Sequence, residues 1–260
     1  MAVLNVTPDS FAESSPRLDP AVAADAALQM ETEGADLIDI GGESTRPGAD
    51  PVSSDEEIAR VLPVLRRLRG RLRIPISVDT YKADVARAAL AEGALIVNDI
   101  SGLRFDPALA RVAAYGGAAL VLMHMRGRPK AMYVEAQYHD VVEDVVEELR
   151  ASIAAAAAAG VASDRVIVDP GIGFAKRPAD SYGVLARLPE LAAALDRPIL
   201  VGPSRKSFMR EALDDRPAPD RDWGTAAAVT AAVLGGAHIV RVHNVSAMAQ
   251  VVRVAEQIRK

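Results

Sequence analysis

A chain of 260 residues, half of them hydrophobic, is long enough to bury one substantial core. A net charge of −5 excludes the broad basic surface typical of nucleic-acid binding, and the lack of cysteine excludes disulfides, thiolate nucleophiles and zinc–thiolate sites. No run reaches the roughly 18 apolar residues of a membrane span, and "MAVLNVTPDSF" lacks the regions of a targeting segment, so a cytoplasmic protein is expected.

Short β-branched runs alternate along the chain with longer helical patterns. In chain order the expected strands are 2–6 (AVLNV), 36–41 (DLIDIG), 75–79 (PISVD), 95–99 (LIVND), 118–124 (AALVLMH), 165–169 (RVIVD), 198–202 (PILVG) and 238–243 (HIVRVH). Between them the pattern predicts helices, among them 20–33, 55–69, 82–92, 141–159 and 246–259. Gly34, Gly93 and Gly160 stand where a helix would end on a left-handed residue. The alanine run 154–160 continues the helix from Val141, and "DDRPAPDRD" (214–222) reads as a loop. Eight strand and helix units with no linker between them predict an α/β fold, a single-domain (β/α)8 TIM barrel over 1–260, with an open doubly wound sheet as the rival.

A parallel barrel takes its chemistry from the C-terminal ends of its strands and the loops beyond them. Here those positions hold Asn5, then Asp39 with Glu43, Ser44, Thr45 and Arg46, then Asp79, Asn98 and Asp99, His124, Asp169, the Ser204, Arg205 and Lys206 run, and Arg241 with His243. Singly, each Asp or Asn is as readily a turn former or cap, Asp99 above all, and His124 fits a packed rim histidine as well as a pocket one. His139 and His238 carry no pattern and read as structural. Together, so many polar strand ends would be costly without a ligand. Arg46, Lys206, Arg241 and His243 suit an anion, with Lys206 and Ser207 opening a helix that would add free N–H groups. Asp79, Asn98 and Asp169 suit the N–H-rich edge of a heterocycle, so one substrate with both parts is expected.

The motifs "LNVTPDSF" (4–11), "IDIGGESTRPG" (38–48), "ISVDT" (76–80), "NDISG" (98–102), "LMHMRGRP" (122–129), "DPGIGFAK" (169–176), "VGPSRKSF" (201–208) and "GAHIVRVHNV" (236–245) cover nearly the whole chain. In this order and spacing they resemble the dihydropteroate synthase family. The resemblance implies a folate-pathway transferase and sulfonamide target that joins 6-hydroxymethyl-7,8-dihydropterin pyrophosphate to p-aminobenzoate, releasing pyrophosphate. It implies Asn5 as the residue binding Mg²⁺, and Asp79, Asn98, Asp169 and Lys206 as the pterin set. Arg241 and His243 resemble the anion site, Thr45 and Arg46 the catalytic loop after the second strand, and Phe174 with Ser207 part of the p-aminobenzoate pocket. A mainly dissociative displacement is expected, with Thr45, Arg46, Arg241 and His243 as catalytic residues and no activated nucleophile. The family is typically homodimeric.

The chain departs from that family at three places. The segment before its first strand is short, its first loop reads "SFAESSPRLDP" without the family's glycine pair, and Asn244 stands where Asp is common. Two other readings share the barrel: a methyltransferase passing methyl groups from a methylated tetrahydrofolate to a corrinoid, and a pterin-binding paralogue without turnover. The intact "STRPG" stretch and the basic anion set argue for the synthase over both.

Overall fold

The computed structural model describes residues 1–7, 19–45, 48–128, 132–134 and 136–260. Arg46, Pro47, Pro129 and most of the first loop therefore lie outside the described residues. Strands β1 (Ala2–Asn5), β2 (Ile38–Gly41), β3 (Ile76–Asp79), β4 (Ile96–Asp99), β5 (Ala119–Met123) and β6 (Val166–Asp169) pair in parallel in that order. The last two, β7 (Leu200–Val201) and β8 (Ile239–Val240), pair with each other. Bridges Val168 to Ile199 and Ala2 to Val242, with Val3 N donating to Val242 O at 3.0 Å, close the ring on both sides of this short pair. The barrel is thus complete, and the open sheet is excluded.

The helices follow local sequence signals. Helix α1 (Pro20–Thr32) begins on Asp19, whose side chain accepts from Ala21 N, with Pro20 in the first turn where a missing N–H costs nothing. Helix α2 (Ser54–Leu68) is capped by Ser53 and carries Asp55, Glu56 and Glu57 in its first turn, complementing the helix dipole. Helices α3 (Ala83–Ala91), α4 (Ala108–Tyr115) and α5 (Val141–Ala158) follow, and α5 takes up most of the alanine run. The sixth unit holds two helices, α6 (Pro178–Ala186) and α7 (Leu188–Leu195), divided at Arg187. Pro189, in the first turn of α7, has no N–H to offer Leu185 O and so favours the division there, although α2 runs through Pro63 without one. Helices α8 (Asp222–Leu234) and α9 (Val245–Arg259) complete the ring. Among the described residues no helix is long and apolar enough to cross a membrane.

Strand alternation divides the core. Leu4, Ile38, Ile40, Val78, Val97, Leu120 and Leu122 face the helices and pack on Ala23, Ala27, Val61, Leu65, Val85 and Ala89. Inside the barrel, Met1, Ile96, Val121 and Leu200 form an apolar floor. The interior positions above that floor are polar, and they build the mouth.

Candidate active site

Register alone assembles the first part of the site. It sets Asn5, Gly41, Asp79 and Asn98 side by side across β1 to β4, above a rank containing Val3, Asp39 and Ser77. From just after β8, which adjoins β1 where the ring closes, Arg241 reaches both ranks. Its Nε donates to Asp39 Oδ2 at 2.6 Å and its Nη2 to Asp79 Oδ2 at 2.8 Å. Asn98 Nδ2 donates to the same Asp39 oxygen at 3.0 Å. Asp39 Oδ1, fully buried, has no hydrogen-bond donor among the described residues.

One guanidinium therefore serves two buried carboxylates. Burial pulls Arg241 down, but Asp39 and Asp79 outweigh it and hold the group above its ordinary range. Burial pushes Asp79 up to about 7 against the pull of Arg241, with Asp39 adding like-charge repulsion. The buried Asp169 is raised by burial, opposed by Lys206, and its Oδ1 accepts from Gly171 N at 2.7 Å.

The loop after β6 places the next groups. Gly171 takes φ +69°, and a Cβ there would lie 2.0 Å from His124 O, so only glycine fits. Lys206 Nζ donates to Ile172 O at 2.5 Å and lies 4.3 Å from the Phe174 ring centroid. Burial lowers Lys206 to about 8, with Asp169 acting the other way. Beneath the loop, the buried Lys176 Nζ lies 2.8 Å from His124 Nδ1, and His124 Nε2 lies 3.1 Å from Glu148 Oε2. Burial pulls His124 down to about 4 and Lys176 to about 7, so His124 is neutral near pH 7. His124 thus supports the loop from below.

A cleft of about 480 Å³ opens over these groups. Of the residues expected at the site, Asn5, Thr45, Phe174, Lys206, Ser207, Arg241 and His243 line it. Asp79 lies beneath, bonded to Arg241; Asn98 joins through Asp39, and Asp169 interacts electrostatically with Lys206 and Arg241. Acidic and basic groups therefore converge at one mouth, as the strand-end pattern predicts. Arg46 lies outside the described residues.

One expectation is corrected. The helix expected to open at Lys206 and Ser207 is a 3-10 turn, Ser207–Met209, followed by two more, Glu211–Leu213 and Ala218–Arg221, the last within the segment read as a loop, and the α-helix starts only at Asp222. Any anion here meets side-chain cations rather than the aligned N–H groups of a long helix. Asp99 is the turn former that its position suggests, accepting from Ser101 N, Ser101 Oγ and Leu103 N. His238 is structural too, its Nδ1 accepting from Ile199 N at 3.2 Å.

Two contributors carried no assigned role in the sequence reading. Asp39 anchors Arg241; its signal was there in strand alternation, which puts Asp39 on the same face as Gly41. Ser204 fixes the His243 ring, with Oγ 2.9 Å from Nδ1 and 3.2 Å from the backbone nitrogen of His243. Arg205, next to Lys206, also borders the cleft, but at φ +58° it forms a two-pronged pair with Asp222 at 2.7 and 3.1 Å.

A parallel barrel whose mouth sets shared carboxylates against cations defines an enzyme-like site for a heterocycle with an anionic tail. Residues 1–243 match the pterin binding enzyme family. A dihydropteroate synthase of Synechocystis is 46% identical over 258 residues, spanning 99% of this chain and 89% of that protein. The dihydropteroate synthase of Clostridium difficile, solved with pteroic acid, superposes with a TM-score of 0.92 at 41% identity, covering 100% of this chain and 96% of that one. That of Xanthomonas albilineans, solved with 4-aminobenzoic acid, gives 0.91 at 41% identity, covering 100% and 92%. The chain belongs to the pterin-binding enzymes and, among them, to the dihydropteroate synthase family.

Proposed function

We propose that this cleft joins 6-hydroxymethyl-7,8-dihydropterin pyrophosphate to p-aminobenzoate, forming 7,8-dihydropteroate and pyrophosphate. The observation that carries the reading is Arg241 held between Asp39 and Asp79 at the mouth that Lys206 and His243 also line. Asp79, Asn98 and Asp169 accept from and donate to the pterin edge, and Lys206 adds a donor beside Asp169. Phe174 and Ser207 border the p-aminobenzoate end, Thr45 lines the cleft beside them, and Arg46 completes the catalytic set.

The bond from the exocyclic methylene carbon to oxygen breaks, and its electron pair leaves with the diphosphate. The amine nitrogen gives its lone pair to that carbon and then loses a proton to solvent. Arg241 uses two of its five N–H donors on carboxylates, leaving others for the departing oxygens, and His243 is oriented towards the same charge by Ser204. Mg²⁺ belongs to the proposal. Asn5 offers a neutral amide oxygen at the cleft, and among the described residues no cluster of three His, Cys, Asp or Glu could hold a metal. Such a donor set fits a hard cation bound mostly by phosphate oxygens and water, where it would supply neutralisation of the leaving group.

The proposal also takes the enzyme as a cytoplasmic homodimer. The cysteine-free composition suits a reducing compartment, and the exposed apolar side chains on α8 and α9 suit a partner copy. The test is a pyrophosphate-release assay, with release expected only when both substrates and Mg²⁺ are present. Arg241→Ala should lose about 100-fold or more in kcat while keeping its far-ultraviolet circular dichroism. Near-normal kinetics in that variant would sink the assignment.

A further inference from the structure

Outside the cleft, a cluster of buried charge sits at the base of the stretch that carries Thr45. Glu43 lies two residues beyond the end of β2, and Val52 just before the cap of α2. Both ends enter one network. Glu43 Oε2 accepts from Val52 N at 3.0 Å and from Lys82 Nζ at 2.5 Å. Lys82 Nζ donates also to Val52 O at 2.7 Å and to Glu57 Oε2 at 2.6 Å. Tyr81 OH donates to Glu43 Oε1 at 2.9 Å, and Arg60 Nη1 donates to Gly42 O at 2.7 Å.

The side chains of Lys82, Glu43 and Glu57 are only 12%, 8% and 1% exposed. All three ammonium protons of Lys82 are matched by acceptors that join the two ends of the stretch to α2. Lys82 also lies three residues beyond Asp79, so the tie and a carboxylate of the mouth share one strand end. Buried ion pairs stabilise a fold no better than apolar packing of equal volume, whereas they demand a specific geometry. Such a network suits a neck whose position matters.

We propose that Lys82, acting with Glu43 and Glu57, is a positioning residue that holds the ends of stretch 43–52 together and so sets where Thr45 meets the substrates. The proposal rests on the functional reading above. It touches no substrate and acts only through the stretch it ties. Removing Lys82 alone strands two buried carboxylates, so the informative variant is the double Lys82→Met, Glu57→Gln, with Lys82→Arg as the conservative rescue.

For the double variant, we expect calorimetric affinity for the pterin pyrophosphate within about two-fold of wild type and kcat at least tenfold lower. Hydrogen exchange in peptides spanning 43–53 should be at least tenfold faster, with exchange in the other strands unchanged. Lys82→Arg should restore most of the kcat. A folded double variant with kcat and KM within two-fold of wild type, or with unchanged exchange at 43–53, would overturn the proposal. If the wild type showed no turnover, the functional reading would fall, and exchange at 43–53 alone would decide the role of Lys82.

Discussion

Arg241 stands between two buried carboxylates, yet burial outweighs its pull on Asp79 and sets the pH behaviour of the mouth. Asp79 titrates at about 7 in the folded chain, against roughly 3.9 for an ordinary aspartate. Between those values the folded state holds a proton that the unfolded state has released, so stability falls as pH rises. The contribution is fully present below the unfolded pKa and lost on passing the folded one. Relative to Asp79→Asn, the ligand-free wild type should therefore be favoured near pH 5 and lose that advantage by pH 8. Differential scanning calorimetry across that range checks this, and a Tm difference independent of pH would contradict it. The same scale explains Asn244, which accepts from Ala247 N as the cap of α9 and donates to Asp222 at 2.8 Å. An aspartate there would present a second carboxylate to Asp222, so the amide suits this neighbourhood.

At the scale of elements, the barrel works as a set of strand ends whose loops are tied down individually. The loop after β6 is the tightest case. Gly171 is pressed against His124 O, while Lys176 beneath it is buried against His124 and Phe174 O. Gly171→Ala would force the backbone away from β5, moving Phe174 and the carbonyl of Ile172 that receives Lys206. The expected cost is roughly 2–4 kcal/mol in urea unfolding, with turnover reduced further than stability alone explains. Wild-type stability in that variant would show that the contact relaxes freely. The loop after β2 is tied by charge instead, through Glu43, Lys82 and Glu57. Close backbone packing fixes the loop after β6 and ion pairing the loop after β2, consistent with the one carrying Phe174 and the other Thr45 to the cleft.

At the scale of the whole molecule, a chain of net charge −5 still lines its cleft with four cations, Arg205, Lys206, Arg221 and Arg241. Its outer surface is uneven as well. Trp223 is 88% exposed on α8, and Val254 and Ile258 are 61% and 66% exposed on α9, large apolar groups that water solvates poorly. If these helices form the homodimer contact, Val254→Glu with Ile258→Glu should convert the protein to a monomer by light scattering after size exclusion. A dimer that survives both changes would place the contact elsewhere.

The sequence by itself determined the eight strands, most helix limits and the polar character of the mouth. Those features are written in local periodicity, caps and the residues that follow each strand. Asp99 as a turn former and α5 running through the alanine run belong to that local class. Pairings were decided only by the tertiary structure. Arg241 meets Asp39 and Asp79 across 202 and 162 residues of chain, and Ser204 meets His243 across 39. Nor does local pattern separate Lys206, whose ammonium donates to Ile172 O, from its neighbour Arg205, whose guanidinium pairs with Asp222. The physical reason is the same throughout: local sequence fixes which face of a strand a side chain takes, whereas strand register and barrel closure fix which charge it meets there.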